Sequence, residues 1–353
     1  MHRAAGKYWF ATLLAITLTC LAAAATVMAQ EPAAPTEAEV AQLIERVRSE
    51  ASQQLVGQAA AVGNVLLRAG RYQEATALFA TVAEQQPRDG AIIYRYALAT
   101  FNSGETAKAE ALAKRAVGLA NEAPENVRAQ QSADALVLLG VILAVEHNEK
   151  EALKWLEQAV ALAPAHFDAQ LSLGRLLFGM GDDSGAIKAL SKAVNLQPAN
   201  AQALFFLATT LERAGETQAA LTAYRKLIAI KPEGYEGHLG LGAMLLKRGK
   251  ADADEGLKEL QLALRINPDV YEARVALGRA LVGRGRPLEA IEHLQRAAEL
   301  APDNPEPHYQ LSLAYRRLGR KEEAAAQAAI VKRIHESRRS PKVATQSRVG
   351  TMN

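Results

Sequence analysis

Residues 204–224 read LFFLATTLERAGETQAALTAY and are followed by Pro232. Leu207 and Leu211 mark one helical run, Gly215 interrupts it, and a second run carries Ala220 and Tyr224 before the proline. The landmarks recur along the chain. A glycine stands at Gly70, Gly104, Gly181, Gly215, Gly249, Gly285 and Gly319, with His147 once in its place. The steps are 34, 43, 34, 34, 34, 36 and 34 residues. A small residue follows each break, at Ala75, Ala109, Ala152, Ala186, Ala220, Gly256, Ala290 and Ala324, and prolines close most units, at Pro87, Pro164, Pro198, Pro232, Pro268 and Pro302.

Between landmarks the apolar residues keep helical spacing, as in Leu171, Leu173, Leu176 and Leu177, then Ile187, Leu190, Ala193 and Val194. Each unit therefore reads as two antiparallel helices. Glycine supplies the positive φ that stops the first helix, and proline ends the second by removing an amide donor. Small residues such as Gly174, Ala186 and Ala193 let the two backbones approach. One hairpin cannot bury its apolar face alone, so its stability must come from stacking on neighbours.

A 34-residue step with Leu-Gly, Ala and a closing Pro resembles the tetratricopeptide repeat. The fullest matches are Leu173, Gly174, Gly181, Ala186, Leu190, Ala193 and Pro198, then Leu277, Gly278, Gly285, Ala290, Leu294, Ala297 and Pro302. Eight units cover residues 56–338. The resemblance implies an all-α, right-handed superhelical solenoid with a concave and a convex face. Residues 121–131 and 250–254 lengthen two units, and insertions in solenoids map to loops or extended helix ends.

The ends differ from the repeats. Arg3 and Lys7 precede an apolar run from Trp9 to Ala25, and Val27, Met28 and Ala29 offer a cleavage site, which predicts a secretory signal peptide over residues 1–29. The competing reading is an uncleaved anchor, because residues 8–29 are just long enough to span a bilayer. Either reading places the protein outside the cytoplasm, periplasmic or secreted, as an exported protein of bacterial type. Cys20 is the sole cysteine and lacks a lipoprotein context, so cleavage would leave a mature chain without disulfide, thiol nucleophile or cysteine metal site. Residues 30–55 hold a short linker and a capping helix, with Thr36 and Glu39 as a capping-box pair. Residues 339–353 read as a basic, disordered tail.

Lys plus Arg number 41 against 38 Asp plus Glu, a net charge of +3, which argues against nucleic acid because phosphate binding needs a clustered basic surface. The seven histidines show no i, i+4 pairing, and no metalloprotease, nucleophile-elbow or phosphate-loop motif is present. The chain is therefore read as non-catalytic, with no cofactor and no metal. Within the resemblance, the first helix of each unit lines the groove. Among the positions carried over, Tyr94, Phe101, Arg175, Phe178, Phe205, Arg279 and Tyr309 are the expected anchors for an extended or helical partner segment, since aromatic and arginine side chains dominate binding hot spots. The family's carboxylate clamp is missing: Asn64 resembles it, but Ala60 stands where a basic residue is needed. Phe206, Trp155 and Tyr224 are expected in packing roles. Two functions compete: an exported adaptor holding a protein or peptide, and an assembly subunit of a membrane-associated envelope machine for pilus, secretion or polysaccharide export.

Overall fold

The computed structural model describes residues 35–120 and 122–339, and these are all-α. The signal segment, the linker up to residue 34 and the basic tail beyond residue 339 of the sequence reading lie outside the described residues. Seventeen α-helices occur among those described. The described residues form two compact units, 35–214 and 215–339.

The first unit opens with α1 (Glu37–Glu50). Thr36 caps it as the sequence suggests: its hydroxyl accepts the Glu39 amide at 3.3 Å, and the Glu39 carboxylate accepts the Thr36 amide at 2.7 Å. This helix buries Val40, Leu43 and Val47 against α2 (Gln53–Arg68) and α3 (Tyr72–Gln85), the first hairpin. Hairpins α4 (Gly90–Asn102) with α5 (Thr106–Ala120), α6 (Glu125–Val145) with α7 (Glu149–Leu162), and α8 (Phe167–Met180) with α9 (Asp183–Leu196) follow, and α10 (Ala201–Arg213) closes the unit. In the second unit α11 (Thr217–Ile230) precedes α12 (Tyr235–Arg248) with α13 (Ala253–Ile266), α14 (Tyr271–Gly283) with α15 (Pro287–Leu300), and α16 (Pro305–Arg317) with α17 (Lys321–Arg339).

The break residues behave as the repeat predicts. All seven glycines have positive φ, from 73° to 125°, and so does His147 at 60°, a conformation that costs any side chain bearing a Cβ. The small residue after each break is buried, Ala75, Ala109, Ala152, Ala186, Ala220 and Ala290 completely. Close approach is severe at Gly174 and Gly278, where an added Cβ would stand 2.5 Å from Leu190 Cγ and Leu294 Cγ, and tighter still at Gly240, 2.2 Å from Tyr224 Cε1. Within the insertion, residues 125–131 extend the start of α6, the longest of the described helices at 21 residues. That helix is also long and apolar enough to cross a membrane, but its Leu136, Leu138, Leu139 and Ile142 are buried among its neighbours, as in the core helix of a soluble protein. The second insertion forms a single 3-10 turn, Lys250–Asp252.

Within each unit the first helix of a hairpin packs on the first helix of the next: α2 on α4, α4 on α6, α6 on α8, α8 on α10, and in the second unit α12 on α14 and α14 on α16. Successive second helices show no comparable contact among the described residues. Each unit therefore curves toward its row of first helices. Arginines tie the layers together: Arg213 donates to the Phe178 carbonyl of the preceding layer at 2.8 Å, and in the second unit Arg317 donates likewise to the Val282 carbonyl.

Candidate functional site

The inner row of the first unit carries an aromatic cluster. Phe206 is 6% exposed and packs edge-on against both Phe178, at 5.9 Å between centroids, and Phe205, at 5.6 Å. Two guanidinium groups flank these rings. Arg175 lies over Phe206 at 5.1 Å, and Arg213 lies over Phe178 at 3.9 Å while bonding Asp183 Oδ1 through Nε at 2.5 Å. Burial pulls the Arg175 pKa down to about 10, since desolvation penalises the charged form. Phe178 and Phe205 stay half-buried, Phe178 with one ring face covered by Arg213. The result is an apolar platform with a cation at its rim.

Along the same row lies a polar cluster drawn from α4, α6 and the N-terminal end of α8. Tyr94 comes from α4, Asp134 from α6, and His166 with Asp168 from the start of α8. His166 is the N-cap of α8: its Nδ1 accepts the Ala169 amide at 3.2 Å, leaving Nε2–H to donate to Asp134 Oδ1 at 2.9 Å. The Asp134 bond raises the His166 pKa against the opposing effect of burial, yet a second proton could enter only at Nδ1, at the expense of the cap. Burial first, then Asp134, pushes the Asp168 carboxyl above its ordinary range, with His166 pulling the other way. The Tyr94 hydroxyl is also pushed up, chiefly by burial and further by Asp134 and Asp168.

The expected anchors thus fall into different settings. Arg175, Phe178 and Phe205 come together around Phe206. Tyr94 belongs to the polar cluster and also packs against the core formed by α1 to α6. Phe101 is half-buried on α4. Arg175 is only 7% exposed, so it supports the platform from beneath rather than presenting itself at the surface. In the second unit Arg279 is exposed and Tyr309 is 49% exposed. Phe206 is a packing residue, as expected, and Tyr224 is buried against Gly240. Sequence reading missed Arg213, Asp134, His166 and Asp168. Arg213 gave a weak signal as the last residue of its helix; the other three depend on contacts between repeats.

Two further histidines are tied into the framework, while His293 Nδ1 is buried without a hydrogen-bond partner among the described residues. His238 faces Glu259 Oε2 at 2.6 Å and the Pro232 carbonyl at 3.2 Å, and His308 faces Gln327 Oε1 at 2.7 Å. No group of three His, Cys, Asp or Glu side chains able to hold a metal ion occurs among the described residues.

Three family profiles match the chain, described as "Tetratricopeptide repeat" over residues 66–133 and 171–235 and as "TPR repeat" over residues 278–319. No curated protein matches. Among solved structures, pilF of Pseudomonas aeruginosa is 17% identical, with a TM-score of 0.52, covering 59% of this chain and 94% of its own. MamA of Desulfovibrio magneticus RS-1 is 22% identical at a TM-score of 0.46, covering 49% and 97%. YrrB, described as a TPR protein with an unusual peptide-binding site, is 20% identical at 0.44, covering 51% and 92%. At these identities the likeness concerns the fold alone. With the period, the positive-φ breaks and the stacked helix pairs, the three profile matches make the chain a tetratricopeptide repeat protein.

Proposed function

We propose that this protein is an exported, non-catalytic adaptor that holds a segment of a partner protein along its row of first helices, in the first unit above all. The observation that carries this reading is the platform of Phe178 and Phe205, both partly exposed and each edge-on to buried Phe206. A part-exposed aromatic pair on a rigid base meets the requirements of a hot spot: large apolar area, little rotamer entropy to lose and a fixed geometry. Further along the same row of first helices, Asp134, Asp168 and Tyr94 add a place for a hydrogen-bond donor. Export is supported by the basic, apolar and small-residue regions of residues 1–29.

The test is partner capture by the full chain and by a Phe178→Ala/Phe205→Ala variant, with circular dichroism to check folding. The expected result is loss of capture by a folded variant. Undiminished capture would refute the groove reading, and stable co-purification with a membrane complex in both forms would favour an assembly subunit. Export is checked separately by N-terminal sequencing of the protein recovered outside the cytoplasm, which should begin after Ala29.

A further inference from the structure

The last described hairpin, α16 with α17, holds a cavity of about 380 Å³ lined by Tyr309, Ser312, Arg316, Lys321, Ala324 and Val331, among others. Its place in the repeat register identifies what it resembles. Counting back through the repeats, Tyr309 corresponds to Val275 and Leu171, Arg316 to Val282 and Phe178, and Lys321 to Pro287 and Asp183. At the equivalent junction in the first unit, α10 occupies the space and packs on both α8 and α9. Covered positions there and in the second unit are closed, with Leu171 6% and Val275 9% exposed, whereas Tyr309 is 49% exposed. The surface of α16 and α17 thus has the form that receives a first helix.

Its charge differs from the internal junction. In the first unit the incoming helix brings Arg213 onto the Phe178 ring and to the Asp183 carboxylate. At the end face the ring is replaced by Arg316 and the carboxylate by Lys321. An incoming arginine would meet two like charges, while a carboxylate would meet two opposite ones. Nearby Glu323 is paired with Arg320, so it does not offset them. We propose that this end face docks an amphipathic helix of a partner protein carrying a glutamate or aspartate at the position that Arg213 holds in α10. The inference is independent of the groove reading.

Two other occupants fit poorly. Helix α1 of a second copy has already buried Val40, Leu43 and Val47, and shows polar residues outward, Glu45 and Arg48 being paired at 3.1 Å. Residues 340–353 contain Lys342 and Arg348 and no acidic residue, which is the wrong sign.

The experiment uses the full chain and two fluorescent, stapled peptides of residues 201–214, one unchanged and one with Arg213→Glu, followed by anisotropy. The Glu peptide should bind at least about tenfold more tightly, the range expected for close charge pairs at an interface. Lys321→Asp restores the acceptor of the internal junction and suits a helix N-terminus, so the protein should fold, and the preference should invert. Phe178→Ala/Phe205→Ala should leave both affinities unchanged, separating this site from the groove. Equal binding of the two peptides, no binding of either, or insensitivity to Lys321→Asp would overturn the proposal. So would a concentration-dependent dimer abolished by Lys321→Asp, which would assign the face to a second copy.

Discussion

Replacing Phe206 with alanine would remove the base on which Phe178, Phe205 and Arg175 rest. At 6% exposure the ring has left water almost entirely, and burying such a side chain is worth about 1.5–3 kcal/mol. Truncation also leaves a cavity that packed helices fill only in part, raising the expected loss to about 3–5 kcal/mol. The two edge contacts, at 5.9 and 5.6 Å, fall within that figure. Phe206→Leu, which keeps most of the volume, should cost about 1.5 kcal/mol or less. Solenoids transmit stability mainly between neighbours, so the loss should be local. Hydrogen exchange followed by mass spectrometry is therefore the assay, with urea melts for the total. Protection should fall in α8 and α10 and persist in α2 to α4. A loss below about 1 kcal/mol, or an even fall through the first unit, would refute the idea that Phe206 organises this surface.

Gly278→Ala should destabilise the second unit by about 1–3 kcal/mol, because its Cβ meets Leu294 Cγ at 2.5 Å; thermal melts would check this. His147→Gly should stabilise by about 0.5–1 kcal/mol, since a left-handed φ of 60° suits glycine, and a lower melting temperature would contradict that account. Asp168→Asn should stabilise at neutral pH. The folded carboxyl has a raised pKa, so the native state holds its proton more firmly than the unfolded chain, and stability falls as pH rises from the ordinary aspartate value through the raised one. The advantage of the variant should therefore vanish below about pH 4, where both states are protonated. Arg213→Ala should cost about 1 kcal/mol or less, measured by urea melts, because its partner Asp183 sits at a partly exposed edge.

The repeat was legible because its landmarks are enforced locally. A helix stopped by a residue at positive φ calls for glycine, and a helix crossing within reach of Leu190 or Leu294 calls for Gly174 or Gly278. His147 shows the same rule by exception, holding the turn at a cost. The platform was only half legible. Phe205 and Phe206 are adjacent, and helical spacing alone separates the inner-facing ring from the buried one. That Arg213 would stack on Phe178, 35 residues earlier, depends on the stagger between layers, which no local pattern encodes. The same holds for His166, which is an unusual cap because Asp134 from the preceding repeat is there to receive its Nε2–H. The division after Ala214 was not legible either, since Gly215 has the same form as its counterparts in other repeats.

Site-specific photocrosslinking from living cells tests the central claim most directly. With a benzophenone side chain at position 205 on the inner row, and separately at exposed Lys188 on the second helix α9, the account predicts a discrete crosslinked protein from 205, suppressed by Phe178→Ala, and none from 188. Equal crosslinking from both positions, or a product only from 188, would contradict it.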